Sequence, residues 1–187
     1  MEAPWYLILV NRDNPVPEDY ELRLTELDNG ESVNKLIYPD LQKMFDDMRA
    51  EGVYPVVCSG YRTREVQQRL YDEEVKKYVR QGYTAQEAEE LAKTWVAIPG
   101  TSEHEIGISV DINAMDERST DQQVYEWLGQ NSYKYGFILR YPQDKTDITG
   151  ISHEPWHFRY VGKEAAEEIY TKGLCLEEYL GTKTLQP

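Results

Sequence analysis

Two short stretches of the sequence concentrate side chains that could bind a metal ion. The chain has three histidines, and all of them lie within 102–111 and 153–157. Catalytic zinc takes three protein ligands from His, Asp or Glu and keeps a fourth position open for water or substrate. His104, Asp111 and His157 would supply two nitrogens and one carboxylate oxygen. The two stretches together therefore predict a zinc site that can activate water.

Such a site also needs a base beside the metal to accept a proton from the activated water. Glu154 lies three residues before His157, and Pro155 between them favours an extended or turn conformation. This geometry can hold the carboxylate beside the metal without making it a ligand. Glu105 and Asp116 are alternative bases, although neither is tied by sequence to a histidine of the second stretch.

The simplest interpretation of each polar residue alone is structural. A single histidine on a strand more often has a structural role than binds a metal ion. We expect His153 to lie near the site or on the surface. Glu103, Glu105 and Asp116 are expected to be solvated surface charge in this acidic protein. The metal hypothesis depends on the two stretches together.

The elements that must position these residues can be predicted from hydrophobic patterning. The alternation along Ile106 to Ile112 predicts a strand whose even-numbered positions pack into the core and whose odd-numbered positions, including Asp111, face a cleft. Gly107 would keep that cleft open. The core-facing residues are Ile106, Ile108, Val110 and Ile112.

In the remaining pattern, helices come early in the chain and short strands cluster late. We predict strands at Trp5–Val10, Tyr54–Cys58, Phe137–Leu139 and Phe158–Val161, with Cys58 buried. We predict helices from Pro39 to Gly52, after Thr63, from Thr84 to Lys93, from Asp121 to Gln130 and from Glu164 to Tyr170. The expected fold is α+β, with a small antiparallel sheet flanked by helices.

Length and composition limit the classes of function. The 187 residues fit a single domain spanning 1–187, with 40% hydrophobic and 29% charged residues. A net charge of −14 disfavours binding to nucleic acid. The longest apolar run, Trp5 to Val10, is far shorter than the roughly 20 residues of a membrane span. Two cysteines do not make a disulfide framework.

Four motifs in order along the chain carry a family resemblance. They are 9–12 (Leu-Val-Asn-Arg), 59–63 (Ser-Gly-Tyr-Arg-Thr), the Ser-x-His-x-x-Gly-x-x-x-Asp run that begins at Ser102, and the Glu-x-Trp-His run that begins at Glu154. The sequence resembles the D-alanyl-D-alanine carboxypeptidases of the VanY type. These belong to a group of zinc peptidases that includes VanX dipeptidases, bifunctional VanXY enzymes and L,D-carboxypeptidases. The resemblance implies the fold shared with the hedgehog signalling domain.

The resemblance also implies roles for seven residues around one zinc ion. They are the zinc ligands His104, Asp111 and His157, the general base Glu154, the arginine Arg62 near the scissile carbonyl and the substrate carboxylate, and the substrate-binding residues Gln67 and Ser102. A permanently charged, bidentate guanidinium suits both an oxyanion and a C-terminal carboxylate.

The activity implied is removal of the terminal D-alanine from peptidoglycan stem peptides, with a role in cell-wall remodelling and reduced susceptibility to glycopeptides. The alternatives are a D-Ala-D-Ala dipeptidase, a bifunctional VanXY-like enzyme, an L,D-carboxypeptidase and a zinc-stabilised binding module. The N-terminus lacks a signal-peptide pattern. We expect an extracellular or cell-surface protein whose leader or anchor has been removed from this sequence, or a cytoplasmic one for the dipeptidase and bifunctional alternatives.

Overall fold

A four-stranded antiparallel sheet forms the centre of the protein. The computed structural model describes residues 4–181. A two-stranded ribbon of β1 (Leu24–Glu26) and β2 (Ser32–Asn34) precedes the sheet of β3 (Pro55–Ser59), β4 (Ser109–Ala114), β5 (Phe137–Leu139) and β6 (His157–Tyr160). The strand order in the sheet is β3-β4-β6-β5, with every neighbouring pair antiparallel. The predicted α+β class with a small antiparallel sheet is confirmed.

Seven helices flank the sheet in the described part of the chain. They are α1 (Tyr38–Ala50), α2 (Arg64–Arg80), α3 (Ala85–Ala92), α4 (Asp121–Asn131), α5 (Thr146–Thr149), α6 (Lys163–Lys172) and α7 (Leu176–Tyr179). Side-chain caps fix the beginnings of α2, α3 and α4, because Thr63, Thr84 and Thr120 each accept a bond from a backbone N–H in the first turn. Over these residues no helix combines the length and the apolar character that a bilayer crossing requires.

The central strand β4 separates the core from a cleft. Its residues Val110 and Ile112, together with Ile106 and Ile108 before it, are completely buried. The β4–β6 register places Asp111 opposite His157. The predicted core face is therefore confirmed, and Asp111 faces the cleft as expected.

The strand predicted over Ile106 to Ile112 begins at Ser109, three residues later than predicted. A 3-10 turn spans Glu103–Ile106 and ends at Gly107, whose φ of +70° is left-handed. A β carbon at Gly107 would lie 3.2 Å from the backbone nitrogen of Asn34. This glycine therefore allows close packing against the ribbon, and the prediction that it keeps the cleft open is wrong.

Two further local predictions are wrong. Trp5–Val10 is not a strand: Trp5–Leu7 forms a 3-10 turn, and the carbonyls of Tyr6 and Ile8 accept bonds from the Arg159 guanidinium rather than from a neighbouring strand. Cys58 is exposed, because the β3–β4 register shifts around it, between Val57 and Ser59.

A buried cluster of four charged side chains lies on the face of the sheet that carries Asp111, since Arg159 pairs with Ser109 in the β4–β6 register. Arg140 and Arg159 have no exposed surface. Glu103 accepts bonds from Arg140 Nε at 2.7 Å and from Arg159 Nη1 at 2.6 Å. Glu177 pairs with the two terminal nitrogens of Arg140 at 2.8 and 2.6 Å. Each buried guanidinium is thus neutralised, which such charges require in a low-dielectric interior.

Replacing Glu177 by Gln should destabilise the protein in a pH-dependent way. Burial alone would raise the pKa of Glu177, but Arg140 lowers it below the ordinary value of 4.5. The stability that ionised Glu177 contributes is fully present above pH 4.5. It is lost as the pH falls through the lower pKa that Glu177 has in the folded protein. We expect a loss of about 3 kcal/mol at neutral pH that shrinks as the pH falls below 4.5, measured by urea unfolding.

The matched control is Glu168→Gln, which removes an exposed carboxylate from its pair with Lys172 on α6. An exposed pair contributes at most about 1 kcal/mol. Equal losses from the two variants, or a Glu177→Gln loss that does not change with pH, would contradict the role of the buried pair.

Candidate metal centre and catalytic cleft

Three side chains converge at the floor of the cleft. One ligand atom from each of His104, Asp111 and His157 lies within 4.8 Å of the others. Asp111 Oδ1 is 3.3 Å from His104 Nε2 and 3.1 Å from His157 Nδ1. Both histidines are buried. The structure thus brings together the three residues predicted as zinc ligands.

The fold holds these three side chains on adjacent elements. His104 lies in the 3-10 turn before β4, where the Ser102 hydroxyl accepts a bond from its backbone N–H. Asp111 lies in β4 and His157 begins β6, directly opposite in the register. A rigid sheet and a short turn therefore fix the separation of the three donors.

The hydrogen bonds around the histidines leave the metal-facing atoms available. His104 Nδ1 lies 2.6 Å from the carbonyl oxygen of Gly60, so Nδ1–H donates there and Nε2 is left as a ligand. His104 Nε2 and Asp111 Oδ1 are buried and have no hydrogen-bond partner among the described residues. Two nitrogens and one carboxylate oxygen in this arrangement fit a catalytic zinc ion.

The charge states of the two histidines differ. Burial lowers the pKa of His104 and keeps it neutral. Burial would also lower the pKa of His157, but Asp111 and Glu103 raise it to about 9. Metal binding to His157 must therefore displace a proton near neutral pH.

Glu154 lies beside the three donors without belonging to the set. Its Oε2 is 3.5 Å from His157 Nδ1, and its side chain is largely buried. Burial raises the pKa of Glu154 to about 7 against the lowering effect of His157, while Asp111 adds a smaller rise and Arg62 a smaller fall. A carboxylate that titrates near neutral pH can both accept and return a proton.

The two alternative bases have other partners. Glu105 is buried rather than solvated, and it accepts bonds from the Gly100 N–H at 2.7 Å and from Arg64 at 3.2 Å. Asp116 pairs with Arg118 at 2.6 Å. In the described part of the chain neither side chain lines the cleft.

The residues predicted to bind substrate line the cleft that holds the three metal-binding side chains. Arg62 donates to Asp111 Oδ2 at 2.6 Å and to Ser59 Oγ at 2.7 Å. Gln67 is almost completely buried; its Nε2 donates to the Ala97 carbonyl at 2.8 Å, and its Oε1 lies 3.4 Å from Arg62 Nη1. The backbone of Arg62 is tied to the first metal-binding stretch through a bond to the His104 carbonyl.

The cleft is large enough for a peptide end. Its volume is about 450 Å³, and Ser102, Arg62, Gln67 and Glu154 line it together with the three metal-binding residues. Its lining also includes Leu70, Lys77, Arg80, Trp95, Ile151 and Trp156. A cleft of this volume that combines apolar and aromatic side chains with a few convergent polar groups is typical of a ligand-binding site.

Sequence reasoning missed Glu103 and Tyr141. Glu103, expected on the surface, is 1% exposed, and its Oε2 lies 3.6 Å from His157 Nε2. The ring of Tyr141 is 4.8 Å from the ring of His157. The one sequence feature that pointed to Glu103 was its position next to His104. Its burial could not be predicted, because its arginine partners lie far away in the sequence.

His153, the remaining histidine, lies near the site without joining it. Its Nδ1 is 2.9 Å from the Tyr141 carbonyl oxygen, and it does not belong to the group of metal donors found in the described residues. The prediction of a position near the site is consistent with this contact.

Comparison with known proteins agrees with the site. The family model "VanY: D-alanyl-D-alanine carboxypeptidase" matches residues 30–163. The chain is 59% identical over 182 residues to a D-alanyl-D-alanine carboxypeptidase from Enterococcus faecalis (strain ATCC 700802 / V583), a match that covers 97% of this chain and 68% of that protein.

Two solved structures are also similar. One is the crystal structure of a mutant of the vancomycin resistance D,D-pentapeptidase VanY, from a VanB-type resistance cassette, in complex with Zn(II). It has a TM-score of 0.93 at 59% identity, covering 95% of this chain and 99% of that one. The other is VanYB in complex with D-alanine-D-alanine, with a TM-score of 0.94 at 58% identity, covering 97% and 100%.

The metal centre makes a direct prediction for its histidines. His104→Ala and His157→Ala should each lose stoichiometric zinc, since two protein donors hold the ion much less tightly than three. His153→Ala should retain it. Zinc content after dialysis, measured by mass spectrometry on folded protein, checks this. Loss of zinc from His153→Ala, or its retention by either of the other variants, would contradict the assignment.

Proposed function

The chain belongs to the VanY family of D-alanyl-D-alanine carboxypeptidases, and we propose that its His104–Asp111–His157 centre and Glu154 carry out the hydrolysis. The protein is a zinc-dependent D,D-carboxypeptidase that acts on peptides ending in D-Ala-D-Ala. The observation that carries the mechanism is the position of Glu154, a largely buried carboxylate beside three metal donors and open to the cleft.

Arg62 positions the substrate. Its guanidinium lies on the cleft wall and already bonds Asp111 Oδ2. The rest of its donor fork can bind the terminal carboxylate or the oxygen of the scissile carbonyl, both of which are negative in the transition state. Gln67 and Ser102, almost completely buried on the same wall, add polar atoms that orient the last peptide unit.

Zinc in the three-donor centre supplies a Lewis acid that polarises the scissile carbonyl and makes water a stronger nucleophile. Glu154 accepts the proton of the attacking water at one carboxylate oxygen and returns it to the nitrogen of the leaving D-alanine. The water oxygen first adds to the scissile carbonyl carbon, and the C–N bond breaks once its nitrogen has received the proton. The products are a new carboxylate and free D-alanine, so one water molecule is consumed. The raised pKa of Glu154 suits it to both transfers.

The cellular role follows from the substrate class. We propose that removal of the terminal D-alanine remodels cell-wall peptides and lowers susceptibility to glycopeptides that bind the D-Ala-D-Ala end. We further propose an extracellular or cell-surface location, which a stem-peptide substrate supports. Cleavage of the free dipeptide would instead support a cytoplasmic enzyme of the dipeptidase or bifunctional kind.

Glu154→Gln should retain zinc and lose turnover. An amide of nearly the same shape cannot accept the proton, so we expect kcat to fall by about 10²–10⁴-fold with zinc content unchanged. Glu105→Gln is the matched control, because it makes the same chemical change at the alternative base and should alter kcat by a few-fold at most. Near-normal activity of Glu154→Gln would rule out Glu154 as the base.

The specificity can be determined with three substrates. We expect the zinc-loaded protein to release one alanine from a pentapeptide stem and to leave a tetrapeptide stem and free D-Ala-D-Ala intact, as identified by mass spectrometry. Cleavage of the tetrapeptide alone would indicate an L,D-carboxypeptidase. Cleavage of the dipeptide would indicate a dipeptidase or bifunctional enzyme. With zinc bound and no substrate cleaved, the binding-module alternative would gain support.

A further inference from the structure

Glu103 and His157 face each other beneath the metal centre. Glu103 Oε2 and His157 Nε2 are 3.6 Å apart, and both atoms are buried without a hydrogen-bond partner in the range 4–181. Buried polar atoms are rarely left unpaired in folded proteins. Two such atoms directed at each other therefore indicate a contact that a small shift of the ring completes.

The arginines determine which oxygen of Glu103 is available. Arg140 Nε and Arg159 Nη1 both bond Oε1, at 2.7 and 2.6 Å. This leaves Oε2 directed at His157. Because both guanidinium groups are completely buried, the carboxylate between them is held in place.

The two metal-binding histidines differ in the group that faces the ring nitrogen turned away from the metal. The Gly60 carbonyl accepts from His104 Nδ1, which presents Nε2 to the metal. The ring of His157 is turned the other way, with Nδ1 beside Asp111 and Nε2 toward Glu103. In metal sites the second ring nitrogen of a ligand histidine commonly donates to a carboxylate, which fixes its tautomer and strengthens the ring as a ligand.

We propose that Glu103 is a positioning residue of the zinc centre: it accepts the Nε2–H of His157 and so holds the tautomer and ring orientation that present Nδ1 to zinc. The inference rests on the proposed ligand set. Glu103 touches neither substrate nor metal and acts through His157 alone.

The same cluster ties distant chain segments to the site. Asn11, in the 9–12 motif, donates to Glu177 at 3.2 Å, and Glu177 holds the far side of Arg140. The carbonyls of Tyr6 and Ile8 accept from Arg159. The N-terminal segment and α7 therefore brace the two arginines that hold Glu103.

The test compares two buried Glu→Gln changes around the same arginine. Glu103→Gln removes the charged acceptor of His157, whereas Glu177→Gln removes the other carboxylate of Arg140 and leaves His157 untouched. Zinc affinity is measured by competition with a chromophoric chelator, on folded protein. We expect Glu103→Gln to weaken zinc binding by about 10–100-fold and Glu177→Gln by less than about threefold.

Equal losses of zinc affinity in both variants, or unchanged affinity in Glu103→Gln, would overturn the proposal, since either result would make Glu103 merely structural. If Glu103→Gln does not fold, Glu103→Asp decides by the same criterion, because it keeps a charge between the arginines and withdraws the carboxylate from His157 by one methylene. Because the readout is zinc affinity, inactivity of a zinc-loaded protein would count against the proposed function and not against this role.

The wild-type protein provides a measurement that needs no variant. In the ¹⁵N spectrum of the zinc-loaded protein we expect the proton of His157 on Nε2, protected from exchange with solvent, and zinc on Nδ1. A proton on Nδ1, or an Nε2 proton that exchanges freely, would overturn the proposal even if no Glu103 variant folds.

Discussion

The register between β4 and β6 is the constraint on which the site depends. It sets Asp111 directly opposite His157, and the turn that ends at Gly107 brings His104 to the same carboxylate. Because side chains alternate across a strand, a slip of one residue would turn Asp111 into the core and Val110 or Ile112 into the cleft. The same register therefore both buries the apolar face of β4 and assembles the metal centre.

The interior beside the metal centre accommodates two completely buried arginines because every charge there has a partner. Arg140 pairs with Glu103 and Glu177, and Arg159 pairs with Glu103 and donates to backbone carbonyls of the N-terminal segment. A buried ion pair contributes little net stability compared with an apolar pair of similar size. Its value here lies in geometry, since the fork of each guanidinium fixes the carboxylate that faces His157.

The sequence predicted the metal ligands and the base better than the buried residues that hold them in place. His104, Asp111, His157 and Glu154 could be selected from residue type and spacing alone, because catalytic metal chemistry allows few donor sets. Glu103 could not, because its burial depends on Arg140 and Arg159, whose positions follow from tertiary packing. The Trp5–Val10 segment failed for a related reason: its apolar pattern fits a strand, but its carbonyls are satisfied by a buried guanidinium instead of a neighbouring strand.

Glu103 and Glu154 show how the same side chain acquires two different roles within one site. Burial raises the pKa of both carboxyls, but the arginines around Glu103 outweigh it and hold that pKa well below its ordinary value. At Glu154 burial prevails and the pKa rises to about 7, because the opposing influence of His157 is smaller than that of burial and Arg62, which pairs with Asp111 at 2.6 Å, adds only a minor one. A permanently ionised carboxylate can hold a ligand histidine but cannot carry a proton near neutral pH. Only the carboxylate without an arginine of its own can serve as the base.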